Sequence, residues 1–211
     1  WTAGTVFQTD TQHRFYFYAG VDGLRSESGS WYLSTYPAVE WKPSSAVSLK
    51  IGPGYERIHE DAQYVRTEVD RTATETYGRR YVFGTLDQTS VSASVRLNWT
   101  FSPRLSLETY LQPYISSADY GNFRSLVRPR SYEFAPYAYG SDPSFTATSL
   151  KGNAVLRWEY RPGSALFLVW TQERYDEAPV GEFDLSSSVD QMRGLPSENV
   201  FLVKLTYYFP P

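Results

Sequence analysis

Residues 91–113 read VSASVRLNWTFSPRLSLETYLQP. Val91, Ala93, Val95, Leu97, Trp99 and Phe101 alternate with Ser92, Ser94, Arg96, Asn98 and Thr100. A period of two places the first set on one side of a strand and the second set on the other. Ser102-Pro103-Arg104 interrupts the run, because proline offers no ladder donor and presets a turn. Alternation then resumes. Leu105, Leu107, Thr109, Leu111 and Pro113 share one face, and Ser106, Glu108, Tyr110, Gln112 and Tyr114 share the other. The stretch therefore predicts a tight hairpin with one apolar and one polar face.

The same pattern extends in both directions. Strands are expected at about 12–22, 31–42, 46–68 and 76–101 before the turn, and at 105–115, 148–160, 165–174 and 199–209 after it. Pro37 falls inside the second of these, where proline favours an edge or a bulge. Three short turns carry a tryptophan shortly before a proline. Pro43, Pro103 and Pro162 recur at intervals of 60 and 59 residues, which reads as a repeated hairpin unit. Long connections at about 59–76, 116–147 and 175–198 are expected at the opposite end. The chain, 1–211, reads as a single domain.

Composition excludes several classes. Twenty Lys and Arg against 23 Asp and Glu leave a net charge of -3, which gives no case for nucleic acid. With no cysteine and two histidines, neither a disulfide framework nor a Cys/His metal centre is expected. No apolar run reaches the roughly 20 residues of a membrane helix. A mean hydropathy of -0.44 suits a soluble protein, but equally a membrane barrel, half of whose strand residues are polar. No basic n-region or apolar h-region follows Trp1, so a leader is expected to have been removed, or the chain to be part of a longer one.

Alternation alone leaves open which solvent the apolar face meets, since a soluble sandwich alternates too. Four features favour lipid. Short and long connections segregate to opposite ends. Trp41, Trp99, Phe101, Trp158, Tyr160, Tyr207 and Phe209 collect on the apolar face at the short-turn end, as interfacial rings do. Trp31 and Trp41 bracket a same-face run of roughly 33 Å along the strand, or roughly 25 Å in height once tilted. The last strand carries an outward aromatic, Phe209. On this reading Arg14, Asp22, Glu40, Lys50, Arg96, Glu108, Arg157, Glu159, Glu173 and Lys204 face the lumen, pairing across it or lining a wet interior.

No catalytic constellation emerges. His59-Glu60-Asp61-Ala62-Gln63 approaches HExxH, but Gln63 replaces the second histidine and the segment reads as strand. Gly52-Pro53-Gly54-Tyr55-Glu56-Arg57 lacks the last glycine of GxGxxG, and no GxSxG occurs. His59 and Asp61 would lie near the outer rim, where a lipid-modifying enzyme holds its base, yet no serine can be placed beside them. Asp176, Glu177, Glu182, Asp184 and Asp190 fit no calcium-loop spacing. Arg124, Arg128 and Arg130, among loop aromatics, are candidates to grip a phosphate, as on lipopolysaccharide, or a glycan.

RLNWTFSPRLSLETYLQPYISSADYGNF (96–123), LKGNAVLRWEYRPGSALFLVWTQER (150–174) and NVFLVKLTYYF (199–209) together resemble the carboxy-terminal barrel of the DUF5916 proteins, often labelled carbohydrate-binding family 9-like domain proteins. The likeness covers about the last two thirds of the chain well and the start weakly. It implies a bacterial outer-membrane barrel, of a family whose members are longer and carry a periplasmic sugar-binding-like domain ahead of a wider barrel. It implies no established reaction.

The expectation is thus an all-β, antiparallel up-and-down transmembrane β-barrel, with eight strands in this chain, complete or the C-terminal part of a larger barrel. The expected role is non-enzymatic transport, surface binding or anchoring in the outer membrane of a Gram-negative-type bacterium, without cofactor or metal. The expected partners are membrane lipid and the barrel-assembly machinery, with glycan or lipopolysaccharide as candidate loop ligands. A secreted carbohydrate-binding β-sandwich is the alternative, and an outer-membrane lipid-modifying enzyme a second one.

Overall fold

The opening hairpin forms as read, but with longer arms. In the computed structural model, which describes residues 1–209, strand β6 (Arg79–Ser102) turns at Pro103-Arg104 into β7 (Leu105–Leu126). The Arg104 amide donates to Ser102 Oγ at 3.3 Å, and Trp99 pairs directly with Leu107. Before them come β1 (Thr2–Gln8), β2 (Phe15–Arg25), β3 (Trp31–Thr35), β4 (Ala38–Ser44) and β5 (Val47–Val69). After them come β8 (Phe134–Pro136), β9 (Phe145–Arg161), β10 (Ser164–Ala178), helix α1 (Leu185–Gly194) and β11 (Glu198–Thr206).

The strands form one antiparallel sheet in the order β1-β2-β3-β5-β6-β7-β9-β10-β11, with β4 pairing both β2 and β5 and β8 pairing β7. β3 and β4 are two halves of one crossing, so the sheet is nine positions wide. Eight strands were expected; the additions are β1, the division of the second expected strand into β3 and β4, and the short β8 within the loop expected at 116–147. β1 is an additional edge strand, paired with β2 from Thr2↔Leu24 to Gln8↔Tyr18. The expected strand at 31–42 is broken at Tyr36-Pro37, where Pro37 cannot donate. The Tyr36 amide donates to the Gly20 carbonyl at 3.0 Å, and its hydroxyl donates to the Asp22 carboxylate. A Cβ on Gly20 would lie 2.1 Å from the Tyr36 ring, so the break requires glycine there.

Strands run well into the segments expected as loops. β5 continues to Val69, bulged between Glu60 and Gln63 and between Tyr64 and Arg66. β7 continues to Leu126 and β10 to Ala178. The connections that remain are a short tip around a 3-10 turn at Thr74–Thr76, a segment holding β8, and one holding α1. The proline turn expected at 42–45 is displaced: Pro43 lies inside β4, and the chain reverses at Ser45-Ala46.

The sheet is a single open layer. The substantial strand contacts are all between ladder neighbours, and β1 does not pair with β11 among the described residues. A closed eight-stranded barrel is therefore not what these residues form. Buried apolar side chains are few: Val82, Leu86, Ile115, Ala118, Ala165 and Met192. Most lie in the extended arms, where small hydroxyls fill the remaining interior and several bond to one another. Ser90 and Ser116 are 2.9 Å apart, Ser117 and Thr146 are 2.7 Å apart, and Thr146 donates to the Val180 carbonyl at 2.6 Å.

Candidate functional site

Residues directly opposite in a ladder point to the same side, so the register settles which side chains share a face. Val47, Trp99, Leu107, Leu156, Leu168 and Val203 form one unbroken row across six strands. Leu105, Trp158, Leu166 and Leu205 form the row beside it. Trp41 joins Leu49 and Leu97 on the same face. Among the described residues no second layer covers these rows, and Trp41, Trp99, Trp158 and Leu168 are 41–49% exposed.

The aromatic residues of the short-turn end lie in contact pairs. Trp99 stacks on Phe101 at 4.5 Å, Trp158 meets Tyr160 edge-on at 6.2 Å, and Tyr207 meets Phe209 at 4.6 Å. Arg161 donates to the Tyr207 hydroxyl at 2.5 Å, and the Tyr160 hydroxyl donates to the Thr206 carbonyl at 3.2 Å. Trp31, towards the other end, stacks on His59 at 6.2 Å and lies beneath the Arg57 guanidinium.

The opposite face collects the charges. Glu40, Lys50 and Arg96 are consecutive ladder partners, and Arg96 covers the ring of its next partner, Tyr110, at 4.9 Å. Asp22, Glu108, Arg157, Glu159, Glu173 and Lys204 share this face by register, while Arg14 precedes β2. Lys42 lies 3.2 Å from Glu40, Lys151 2.9 Å from Glu173, and Arg157 3.2 Å from Glu159. Lys204 sits over the Phe167 ring at 5.8 Å. The pairing is largely between neighbours on the same or adjacent strands. Towards the β11 edge the face turns apolar, with Val155, Val169 and Leu202 in one row.

The loop arginines are less free than their sequence context suggests. Arg124 donates to the Asp61 carboxylate at 2.6 Å and to the Asp61 carbonyl, and it covers the Phe134 ring at 4.6 Å. Arg128 is bound to the Glu133 carboxylate. Arg130 adopts a left-handed backbone conformation at φ 58°. These three do not converge on one point through any shared partner among the described residues.

Further along the arms, Arg80 grips Asp70 through Nε at 2.8 Å and through a second nitrogen. The Thr72 hydroxyl, Arg80 and the Thr72 amide together hold the Asp70 carboxyl down to about 2. The Tyr137 hydroxyl donates to Glu68 at 2.7 Å, and that carboxylate pushes the phenol upward.

His59 Nδ1 lies 2.9 Å from Asp87 Oδ1, so Asp87, and not the sequence neighbour Asp61, is its partner. No serine hydroxyl bonds to His59 among the described residues, and no three His, Asp or Glu side chains gather at metal-binding distance there. In the acidic connection Asp184 caps α1, accepting from the Ser186 and Ser187 amides, and the Ser187 contact leads in lowering its pKa. Asp176 accepts from Gln191 at 2.6 Å.

Matching against families finds the one described as "Domain of unknown function (DUF5916)" over residues 1–210. The chain belongs to the DUF5916 family. The matched range takes in β1 to β5 as well as the later strands, beyond the residues 96–209 from which the likeness was read. Comparison with curated proteins finds no match, and comparison with solved structures finds none.

In this DUF5916 chain the sequence reading missed α1 and Arg174. Signals for both were present. Leu185, Val189 and Met192 have helical spacing behind an Asp184 cap, but the serines and acids around them read as loop. Arg174 ended a strand, and only the fold brings it to the helix C-terminus.

Proposed function

We propose that this chain is a wall segment of a bacterial outer-membrane β-barrel, whose apolar face meets lipid and whose charged face lines a polar interior. The expected role is non-enzymatic: transport, surface binding or anchoring. The row Val47–Trp99–Leu107–Leu156–Leu168–Val203, uncovered across six strands, carries the reading. Each such side chain gains about 1.5–3 kcal/mol on leaving water, and this sheet offers no protein layer to take them. Acyl chains supply the cover, and the paired aromatics at the short-turn end fit the interface. No helix among the described residues is long and apolar enough to cross a membrane, which bears only on helices.

The same physics demands that the wall continue. In hydrocarbon every backbone donor and acceptor needs a partner, so open sheet edges are not tolerated. Among the described residues β1 and β11 each present an unpaired edge, and nine positions is an odd number where bacterial barrels of this kind have even ones. The arc is therefore completed by further strands. A sandwich receives less support, because among the described residues no second sheet faces either side of this one.

Membrane fractionation tests the proposal. The protein should sediment with outer membranes, resist alkaline carbonate and require detergent for extraction. A stable monomer in aqueous buffer without detergent would overturn it.

A further inference from the structure

α1 lies against the apolar face of the sheet and leaves a gap beneath itself. The gap is a slot of about 580 Å³, with Ala93, Leu111 and Pro113 on the sheet side and Leu185, Val189 and Met192 on the helix side. That volume lies within the range of small-molecule sites. Met192 and Ser188 are buried, whereas Leu185 remains 45% exposed, so the helix is fastened at one end and stands off at the other.

The fastening is Arg174. It follows Pro113 and Leu150 in one ladder row, at the level where apolar rows give way to the hydroxyl-rich arms. Its Nη1 donates to the carbonyls of Met192 at 3.4 Å and Arg193 at 2.7 Å, closing the helix C-terminus. Its Nε is buried without a hydrogen-bond partner, and among the described residues no carboxylate forms an ion pair with it. Arg193 borders the same slot. The guanidinium is half-buried and its Nε leaves one donor unused, and guanidinium matches phosphate geometry.

We propose that the slot between α1 and the sheet holds one acyl chain of a glycerophospholipid, with the lipid phosphate on Arg174. This rests on the membrane reading above and adds a specific site to it. The slot lies on the apolar face, where acyl chains lie, and its one counter-ion-free arginine stands in the row of Pro113 and Leu150, where that face gives way to the hydroxyl-rich arms, the depth of a headgroup. An apolar peptide would fill the volume and leave the charge unanswered. A phospholipid answers both.

The test uses the detergent-purified full-length protein, after its resistance to carbonate extraction has been established. Native mass spectrometry measures retention of phosphatidylglycerol and of diacylglycerol with identical chains. The wild type should retain one phosphatidylglycerol per chain, at least tenfold more tightly than diacylglycerol. Arg174→Gln should erase that preference. Ala93→Phe, which fills the slot and leaves the helix cap intact, should lower retention of both lipids at least tenfold. Equal retention of the two lipids by wild type, or unchanged phosphatidylglycerol retention in Ala93→Phe, overturns the proposal. A chain that stays in the membrane but retains no lipid removes the slot alone. A chain released by carbonate removes the membrane reading with it.

Discussion

Lys50 of β5 and Arg96 of β6 stand directly opposite each other on the charged face. Like charges so placed repel, and their neighbours in the row show how the repulsion is met. Glu40 pairs with Lys50 from the other side and also accepts from Ser48 at 2.9 Å, while Arg96 spreads over Tyr110. Glu40→Gln should therefore destabilise the fold by about 0.5–1 kcal/mol at low salt. Denaturant titration in detergent should show the difference shrinking in 1 M salt, where the screening length falls to about 3 Å. A salt-independent difference would place the role of Glu40 in packing.

Neighbouring residues of β7 and β6 separate the two faces energetically. Val95→Arg and Leu111→Arg put a charge on the apolar face, two rows in from Trp99, and in a bilayer each should cost about 2–4 kcal/mol near mid-depth. Asn98→Arg, on the other face beside Arg96, should cost under about 1 kcal/mol. Reversible folding into phospholipid vesicles measures all three. Equal costs would mean that the two faces meet the same solvent.

At the tip of the long hairpin, acid should loosen what Arg80 holds. Asp70 titrates at about 2 when folded, below its ordinary 3.8. The folded form thus binds fewer protons between those values. The stabilisation is complete above about pH 4 and is lost as pH falls towards 2. Amide exchange at Thr72 and Gly78 should accelerate over that window. Asp70→Asn should make the exchange fast and independent of pH-linked tip opening.

Gly163 turns β9 into β10 at φ +75°, and a Cβ there would come within 3.0 Å of the Tyr208 side chain. Gly163→Ala should cost about 1–2 kcal/mol from the backbone alone. Thermal unfolding checks this against Gly140→Ala, which meets nothing within 4 Å and should be nearly neutral.

The β6–β7 hairpin, the Arg161–Ser164 turn and the two faces were legible because period two and proline act locally. β1 was not. Its residues TAGTVFQ are exposed throughout and weakly alternating, and β2 recruits them through backbone pairing that carries little side-chain signal. The strand extensions into 116–126 and 175–178 escaped notice because polar residues there look like loop, while the hydroxyl network that buries them appears only on pairing. The candidate lumen charges were readable as a face but not as partners. Arg124 reads as a free cation until the bulge in β5 delivers Asp61 to it.

The central claim concerns what touches each side of the sheet, and Leu107 and Glu108 test it most directly. The chain has no cysteine, so Leu107→Cys and Glu108→Cys each give a unique attachment point for a nitroxide in reconstituted membranes. Position 107 should collide with dissolved oxygen and be shielded from an aqueous nickel chelate, and position 108 should show the reverse. If position 107 meets the chelate as readily as 108 does, the apolar face lies in water and the account is wrong.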